Sequence, residues 1–179
     1  MSADQDHPLA AILYSEGAAC DLLLAGVADR LACDGLRLAG AVQVNDRYDA
    51  LCACDMTLRD LTSGKAIRIS QRLGRYARGC RLDPAALEEA VGLAEQGLAG
   101  GADVVILNKF GKAEAAGHGF RPMIATAVEA GVPVLVGISE VNRPSWEAFA
   151  GGEGNVLEPT EQAILAWLER LALPRRRTA

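Results

Sequence analysis

The chain has 179 residues, half of them hydrophobic and only 4% aromatic, so the sequence predicts one domain packed mainly by Ala, Leu and Val. No apolar run approaches the roughly 20 residues that a membrane-spanning helix needs, which argues against a membrane protein. A net charge of −5 disfavours long nucleic acid as a partner, because its phosphates would be repelled over most of the surface.

Both ends of the chain are polar. Residues 1–8 contain two Asp and a His and no apolar stretch, which predicts a polar lead-in rather than an export signal. Residues 174–179 form a basic tail that we interpret as solvated. We therefore expect a cytoplasmic protein consisting of a single α/β domain over residues 1–179.

The five cysteines are odd in number, which fits reduced thiols of a cytoplasmic protein better than a disulfide framework. Cys52 and Cys54 share one face of a strand-like run, and Cys80 is the next thiol along the chain. A zinc site would need further ligands at suitable spacing. We therefore predict no metal and no cofactor.

The first third of the chain predicts a strand, a turn, a helix and a second strand. Residues 9–14 form a short apolar run, and residues 15–19 form a turn. Apolar side chains at three- and four-residue spacing from Cys20 to Leu31 predict a helix, which Gly35 ends. A second strand over residues 36–44 implies a right-handed crossover and a parallel pair.

An antiparallel hairpin is predicted next, with strands over residues 51–58 and 66–70 joined by a turn over residues 60–65. Residues 65–81 carry six cationic side chains and no acidic one, in a chain that is otherwise acidic. We interpret this basic segment as a loop that binds a small anion; a solvated basic loop is the alternative. Its arginines at regular spacing are Arg72, Arg75, Arg78 and Arg81.

The rest of the chain alternates helices and strands. Asp83-Pro84 predicts a helix start, because Asp caps free N–H groups and Pro suits the first helical position. Buried strands are predicted over residues 104–107 and 132–138, with a polar loop over residues 108–119 between them. Helical segments are predicted around Met123, Trp146 and Trp167. This alternation predicts a three-layer α/β sandwich around a mainly parallel sheet.

In such a sheet, ligands bind beyond the carboxyl ends of the strands. A phosphate-binding loop after the first strand would contain Gly, four residues and then Gly-Lys followed by Ser or Thr. This turn has a single glycine and no lysine, so the phosphate loop is degenerate. The N–H groups that open the helix still predict an anion site, with a plain turn as the alternative. The residues concerned are Ser15, Glu16, Gly17 and Ala18.

A second site element follows the strand that ends at Leu107. Nucleotide hydrolases on this type of sheet place acidic residues there to hold metal and water. The chain instead has Asn108 and Lys109, and Asn lacks the negative charge that magnesium prefers. Together with Lys112, Lys109 makes the predicted site cationic, unless both lysines are only solvated. We predict no catalytic residue.

Five motifs of this chain, taken together, resemble a bacterial family known as domain of unknown function 2478. The resemblance covers nearly the whole chain. It implies no established activity, although some members are encoded beside molybdate-transport or molybdenum-enzyme genes. The motifs are Cys54-Asp55-Met56, Asp60-Leu61-Thr62-Ser63-Gly64, Gly79-Cys80-Arg81-Leu82-Asp83, Asn108-Lys109-Phe110-Gly111-Lys112 and Gly151-Gly152.

The order of elements is also similar, more distantly, to the thermophile-type P-loop nucleoside triphosphatases. Gly111 and Lys112 match the Gly-Lys pair of that family, whereas Asn108 and Lys109 replace its acidic pair. The P-loop lysine and hydroxyl have no counterpart. The resemblance therefore implies a P-loop-like fold with an inserted β-hairpin, and it does not carry the hydrolytic activity.

From these observations we predict a small-anion-binding protein on a degenerate P-loop scaffold, without efficient hydrolysis. The expected ligand is an oxyanion of the molybdate or phosphate type, or a nucleotide; neither nucleic acid nor membrane is an expected partner, and a homo-oligomer is possible. The alternatives are a nucleoside triphosphatase or phosphotransferase with a non-standard site, and an interaction module that binds an acidic partner.

Overall fold

A computed structural model describes residues 7–44, 56–71, 82–152, 154–171 and 173. The arginines at 72, 75, 78 and 81 and the cysteines at 52, 54 and 80 lie outside these residues. In chain order the elements are β1 (Leu9–Tyr14), α1 (Gly17–Cys33), β2 (Leu38–Gln43), β3 (Thr57–Asp60), β4 (Ala66–Arg68), α2 (Pro84–Ala99), β5 (Val104–Phe110), α3 (Lys112–Ala115), α4 (Arg121–Glu129), β6 (Val134–Ser139), a 3-10 turn (Glu140–Asn142), α5 (Arg143–Ala150), β7 (Asn155–Leu157) and α6 (Glu161–Arg170).

The strands form one seven-stranded sheet in the order β4-β3-β2-β5-β6-β1-β7. From β2 to β7 all neighbouring strands are parallel, and β3 and β4 add an antiparallel hairpin beside β2. The predicted mainly parallel α/β sheet with an inserted hairpin is thus confirmed. The arrangement matches a P-loop-like nucleotide-binding scaffold.

Helices cover both faces of the sheet and bury a separate apolar cluster on each. On one face, α1 and α6 pack through side chains such as Leu24 and Trp167. On the other face, α2, α4 and α5 pack through Leu87, Met123 and Trp146. Because both faces are covered, the central strands are apolar throughout, as buried parallel strands are. The three predicted layers are therefore present.

Local signals fix several helix ends where the sequence predicted them. The Asp83 carboxylate accepts hydrogen bonds from two amides in the first turn of α2, and Pro84 is its first residue. Gly35 follows α1 with φ of 84°, a left-handed conformation that glycine adopts without a steric penalty. Among the described residues, no helix is long and apolar enough to cross a membrane.

Three details differ from the sequence interpretation. Asn108, Lys109 and Phe110 belong to β5 instead of a loop, with a register shift against β6 after Leu107. The three-residue strand β7 has no counterpart in the prediction. The strand β3 extends to Asp60, which the sequence placed in the turn, and it bonds to β2, so the hairpin continues the sheet at its edge.

Candidate functional site

The candidate site lies at the carboxyl edge of the sheet, where β1 meets β6. The chain leaves β1 towards β2 on one side, whereas it leaves β6 towards β7 on the other. Because α1 and α5 lie on opposite faces of the sheet, the chain leaves β1 and β6 towards opposite faces, and this opens a crevice beyond the strand ends, where open α/β sheets bind ligands. Tyr14 and Ser139 are paired at the ends of these two strands, and β5 ends beside β6.

The turn that follows β1 is very short. Only Ser15 and Glu16 separate the strand from α1, and both are exposed. The extended Glu16 precedes the helix, and its side chain makes no capping hydrogen bond. The first backbone bond of the helix is donated by the amide of Cys20 to the Glu16 carbonyl, so the amides of residues 17–19 precede the helical ladder. These N–H groups therefore point towards the crevice end of the helix.

A cluster of three polar side chains joins β5 to α1. Asn108 Nδ2 donates a 2.7 Å hydrogen bond to Asp21 Oδ1, and both residues are buried. Lys109 Nζ lies 3.8 Å from the same oxygen. The side chain of Asp21 is 7% exposed and that of Lys109 is 30% exposed. The carboxylate is therefore shielded from solvent, whereas solvent reaches the ammonium group.

Lys109 reaches the start of α1. Its Nζ would lie 3.6 Å from a Cβ placed on Gly17, so the ammonium group sits directly beside the first residue of the helix. It also lies 5.3 Å from the centre of the Tyr14 ring, within cation–π distance. The sequence placed Lys109 and the turn at different strand ends, and the structure brings them together.

Burial changes the acidity of two groups around this cluster. It raises the pKa of Tyr14 to about 12, with further increases from Cys20 and Asp21 and a decrease from a hydrogen bond with Ser139. It also raises the pKa of the Cys20 thiol to about 12, where Asp21 adds to the increase and Lys109 opposes it. Both groups are therefore neutral near pH 7, and the Cys20 thiol is not a nucleophile there.

Gly137 of β6 leaves space beneath the cluster. A Cβ at this position would lie 2.9 Å from Cys20 Sγ and 3.6 Å from Asn108 Oδ1. Asn108 Oδ1 is buried and accepts no hydrogen bond within the described part of the chain. Any larger residue at 137 would displace Cys20 and disturb the contact between Asn108 and α1.

The charge of this site differs from the sequence interpretation, which expected a cationic site from Lys109 and Lys112. Asp21 lies in contact with Lys109 and offsets its charge. Lys112 is exposed as the first residue of α3, just beyond the end of β5. The sequence does not reveal Asp21 as the partner of Lys109, because 88 positions separate the two residues.

The predicted arginines lie outside the described residues, but the residues that flank them are placed. Ser70 and Leu82 form an antiparallel bridge next to β4, at the hairpin edge of the sheet. β4 and β5 are three strand spacings apart, which is about 14 Å, and β1 lies two spacings farther. That the basic segment contributes to the same site stays a prediction. To do so, the segment would have to span this distance.

The model of the family described as protein of unknown function (DUF2478) matches residues 9–167. These residues include every described strand and both parts of the site. The chain belongs to the DUF2478 family. The resemblance to this family that the motifs predicted is therefore confirmed.

A curated relative of this DUF2478 protein is the Molybdenum import ATP-binding protein ModC 2 of Bradyrhizobium diazoefficiens. It is 40% identical over 159 residues, which cover 89% of this chain and 18% of the relative. The chain thus spans less than a fifth of that protein's length. No solved structure matches the chain.

Proposed function

We propose that this protein binds a small anion at the carboxyl edge of its sheet and does not hydrolyse nucleoside triphosphates efficiently. The ligand is an oxyanion of the molybdate or phosphate type, or the phosphate of a nucleotide. The observation that carries the proposal is the position of Lys109 Nζ beside Gly17 at the start of α1.

Two sources of positive potential meet at this point. The first amides of α1 present N–H groups, and the helix dipole adds a partial positive charge. The Lys109 ammonium is held in place by Asp21 and by the Tyr14 ring, so little side-chain freedom is lost when an anion binds. Ser15, Glu16, Gly17 and Ala18 would supply backbone to the ligand, and Lys112 would add a second cation.

Asp21 neutralises part of this potential, so Lys109 alone leaves the site with little net charge. A dianion would need further cations, and the predicted donors are Arg72, Arg75, Arg78 and Arg81. Arginine forks suit the oxygens of tetrahedral anions, which supports their assignment to the ligand.

The turn supports binding without hydrolysis. A phosphate loop wraps its backbone around the β-phosphate and needs several residues between strand and helix. Two residues, Ser15 and Glu16, are too few for such a wrap. At the end of β5, Asn108 uses its amide to bond Asp21 and offers no carboxylate for magnesium.

Molybdate is the first oxyanion to test, because the 40% identical relative is named as a molybdenum import ATP-binding protein. We infer a cytoplasmic protein that responds to the anion level. The free thiols of the described Cys20 and Cys33 agree with that compartment.

The test is calorimetric titration of the purified protein with molybdate, sulfate, phosphate, ATP and GTP. Lys109→Met removes one charge-assisted contact worth about 1.5–3 kcal/mol, so affinity for the preferred anion falls roughly 10- to 100-fold. Arg30→Met is the control, since Arg30 pairs with Asp34 on the exposed last turn of α1, at the opposite end of that helix from the site. Equal affinities of the Lys109→Met and wild-type proteins would reject the site.

The basic segment is tested separately. The double substitution Arg75→Ala and Arg78→Ala should weaken anion binding and leave the unliganded melting temperature nearly unchanged. Unaltered affinity would remove the segment from the site. Phosphate release from ATP or GTP with magnesium at about 1 per second or more would favour the hydrolase alternative. A salt-sensitive complex with no response to anions would favour the interaction module.

A further inference from the structure

Glu114 is a buried carboxylate that the anion site described above does not include. It lies in α3, within the connection from β5 to α4, and only 4% of its surface is exposed. Its Oε2 accepts a 2.9 Å hydrogen bond from the Gly111 amide, and its Oε1 accepts a 3.1 Å bond from the Phe120 amide. One side chain therefore ties the first residue of the connection to the last.

The backbone is shaped to let this carboxylate in. Gly119 has φ of 58°, and a Cβ there would collide with Glu114 Oε1. A Cβ on Gly111 would lie 3.6 Å from Glu114 Oε2, which is an ordinary contact, so the close approach depends on Gly119 and not on Gly111. The Arg121 guanidinium also donates to the backbone carbonyl of Glu114, which fixes α3 against the start of α4. The connection is wrapped around the carboxylate at both of its ends.

No cation neutralises the carboxylate within the described residues. Burial raises the pKa of Glu114, the Gly111 and Phe120 amides lower it, and Glu88 of α2 raises it further. Burying this carboxyl group carries a desolvation cost, which the hydrogen bonds from the two backbone amides offset. One of the two amides that it holds belongs to Gly111, which is bonded to Lys112 and lies two residues after Lys109.

We propose that Glu114 is a positioning residue for the anion site. By anchoring the Gly111 amide, it fixes the end of β5, from which Lys109 extends to α1, and the start of α3, where Lys112 lies. The expected effect on anion affinity rests on the proposed function. The placement of Lys109 by Glu114 does not, and it can be tested without any ligand.

The test compares Glu114→Gln and Glu114→Asp with Glu95→Gln, a substitution at an exposed position of α2. Gln offers one acceptor oxygen for two amides, and Asp is too short to reach both. In Glu114→Gln, one of the two amides, that of Gly111 or that of Phe120, should exchange its hydrogen at least tenfold faster than in the wild-type protein. Glu95→Gln should leave both unchanged.

Reductive methylation of lysines, read by peptide mass spectrometry, reports the position of Lys109 without any ligand. Lys109 in the wild-type protein should react more slowly than the exposed Lys65, and Glu114→Gln should speed its reaction severalfold with Lys65 as the internal reference. Molybdate affinity, measured well below the melting temperature, should fall about tenfold.

A role confined to stability would lower the melting temperature and leave both Lys109 reactivity and molybdate affinity at wild-type values, which would overturn the inference. If the wild-type protein binds neither molybdate nor any other anion, the proposed function fails. In that case the exchange and methylation measurements still decide whether Glu114 positions Lys109.

Discussion

Removing either member of the Asp21–Lys109 pair should have unequal effects on stability. At 3.8 Å, two unit charges interact by about 4 kcal/mol at an effective dielectric constant of about 20. Solvent at Lys109 weakens this, so the pair lies between an exposed pair, worth about 0–1 kcal/mol, and a buried one, whose disruption costs about 3–5 kcal/mol. We expect a coupling energy of about 1–2 kcal/mol.

The asymmetry follows from burial. Lys109→Met removes the ammonium group from beside the buried Asp21 carboxylate, which should cost about 2–3 kcal/mol, while the hydrogen bond from Asn108 remains. Asp21→Asn leaves a lysine that can turn to solvent and keeps an acceptor for Asn108, so about 1 kcal/mol is expected.

The assay is urea unfolding at pH 7 of the wild-type protein, both single variants and the double variant. A matched cycle with Lys65→Met and Glu89→Gln serves as control, because that pair is closer, at 2.7 Å, but more than half exposed on both sides. The control should couple by less than about 1 kcal/mol. A coupling of Asp21 and Lys109 below about 0.3 kcal/mol, or a larger loss for Asp21→Asn than for Lys109→Met, would refute the reasoning.

Three further predictions follow from the fold. Asp83→Ala should lower the free energy of unfolding by about 1 kcal/mol, measured by urea titration, because the first turn of α2 loses its cap; an unchanged midpoint would contradict this. Gly40→Ala should destabilise the protein by about 3 kcal/mol or more, or prevent folding, because Gly40 has φ of 106° and an added Cβ would collide with the Ile106 carbonyl. A melting temperature equal to that of the wild-type protein would contradict this backbone conformation. At pH 8, maleimide should label the exposed Cys33 and spare Cys20, whose burial raises its pKa to about 12, and equal labelling in the folded protein would contradict that environment.

The sequence predicts the layers of this fold well because its signals are local. Asp83-Pro84 starts a helix and Gly35 ends one through bonds within a few residues, and the apolar runs of β1, β5 and β6 identify strands buried on both faces. The strand β7 is too short, at three residues with exposed Val156 at its centre, to produce a pattern.

The candidate site is harder to predict, because its contacts join distant parts of the chain. Lys109 and Asn108 were identified as site residues, but their common partner Asp21 is found only when β5 and α1 are placed in three dimensions. Glu114 was missed for another reason. Glu114 lies three residues after the N-cap residue of α3, which is Gly111 where the capping-box pattern has a Ser or Thr, so that pattern is absent from the sequence.

The position of β1 has a consequence for the folding of the newly made chain. β1 precedes every other strand of the described sheet, yet both of its neighbours, β6 and β7, are the last two strands in chain order. Contacts of such large sequence separation carry a high loop-closure cost and slow folding. During translation, β1 and the apolar face of α1 must therefore wait until β6 and β7 have been made, with hydrophobic surface exposed to aggregation or chaperones in the interval.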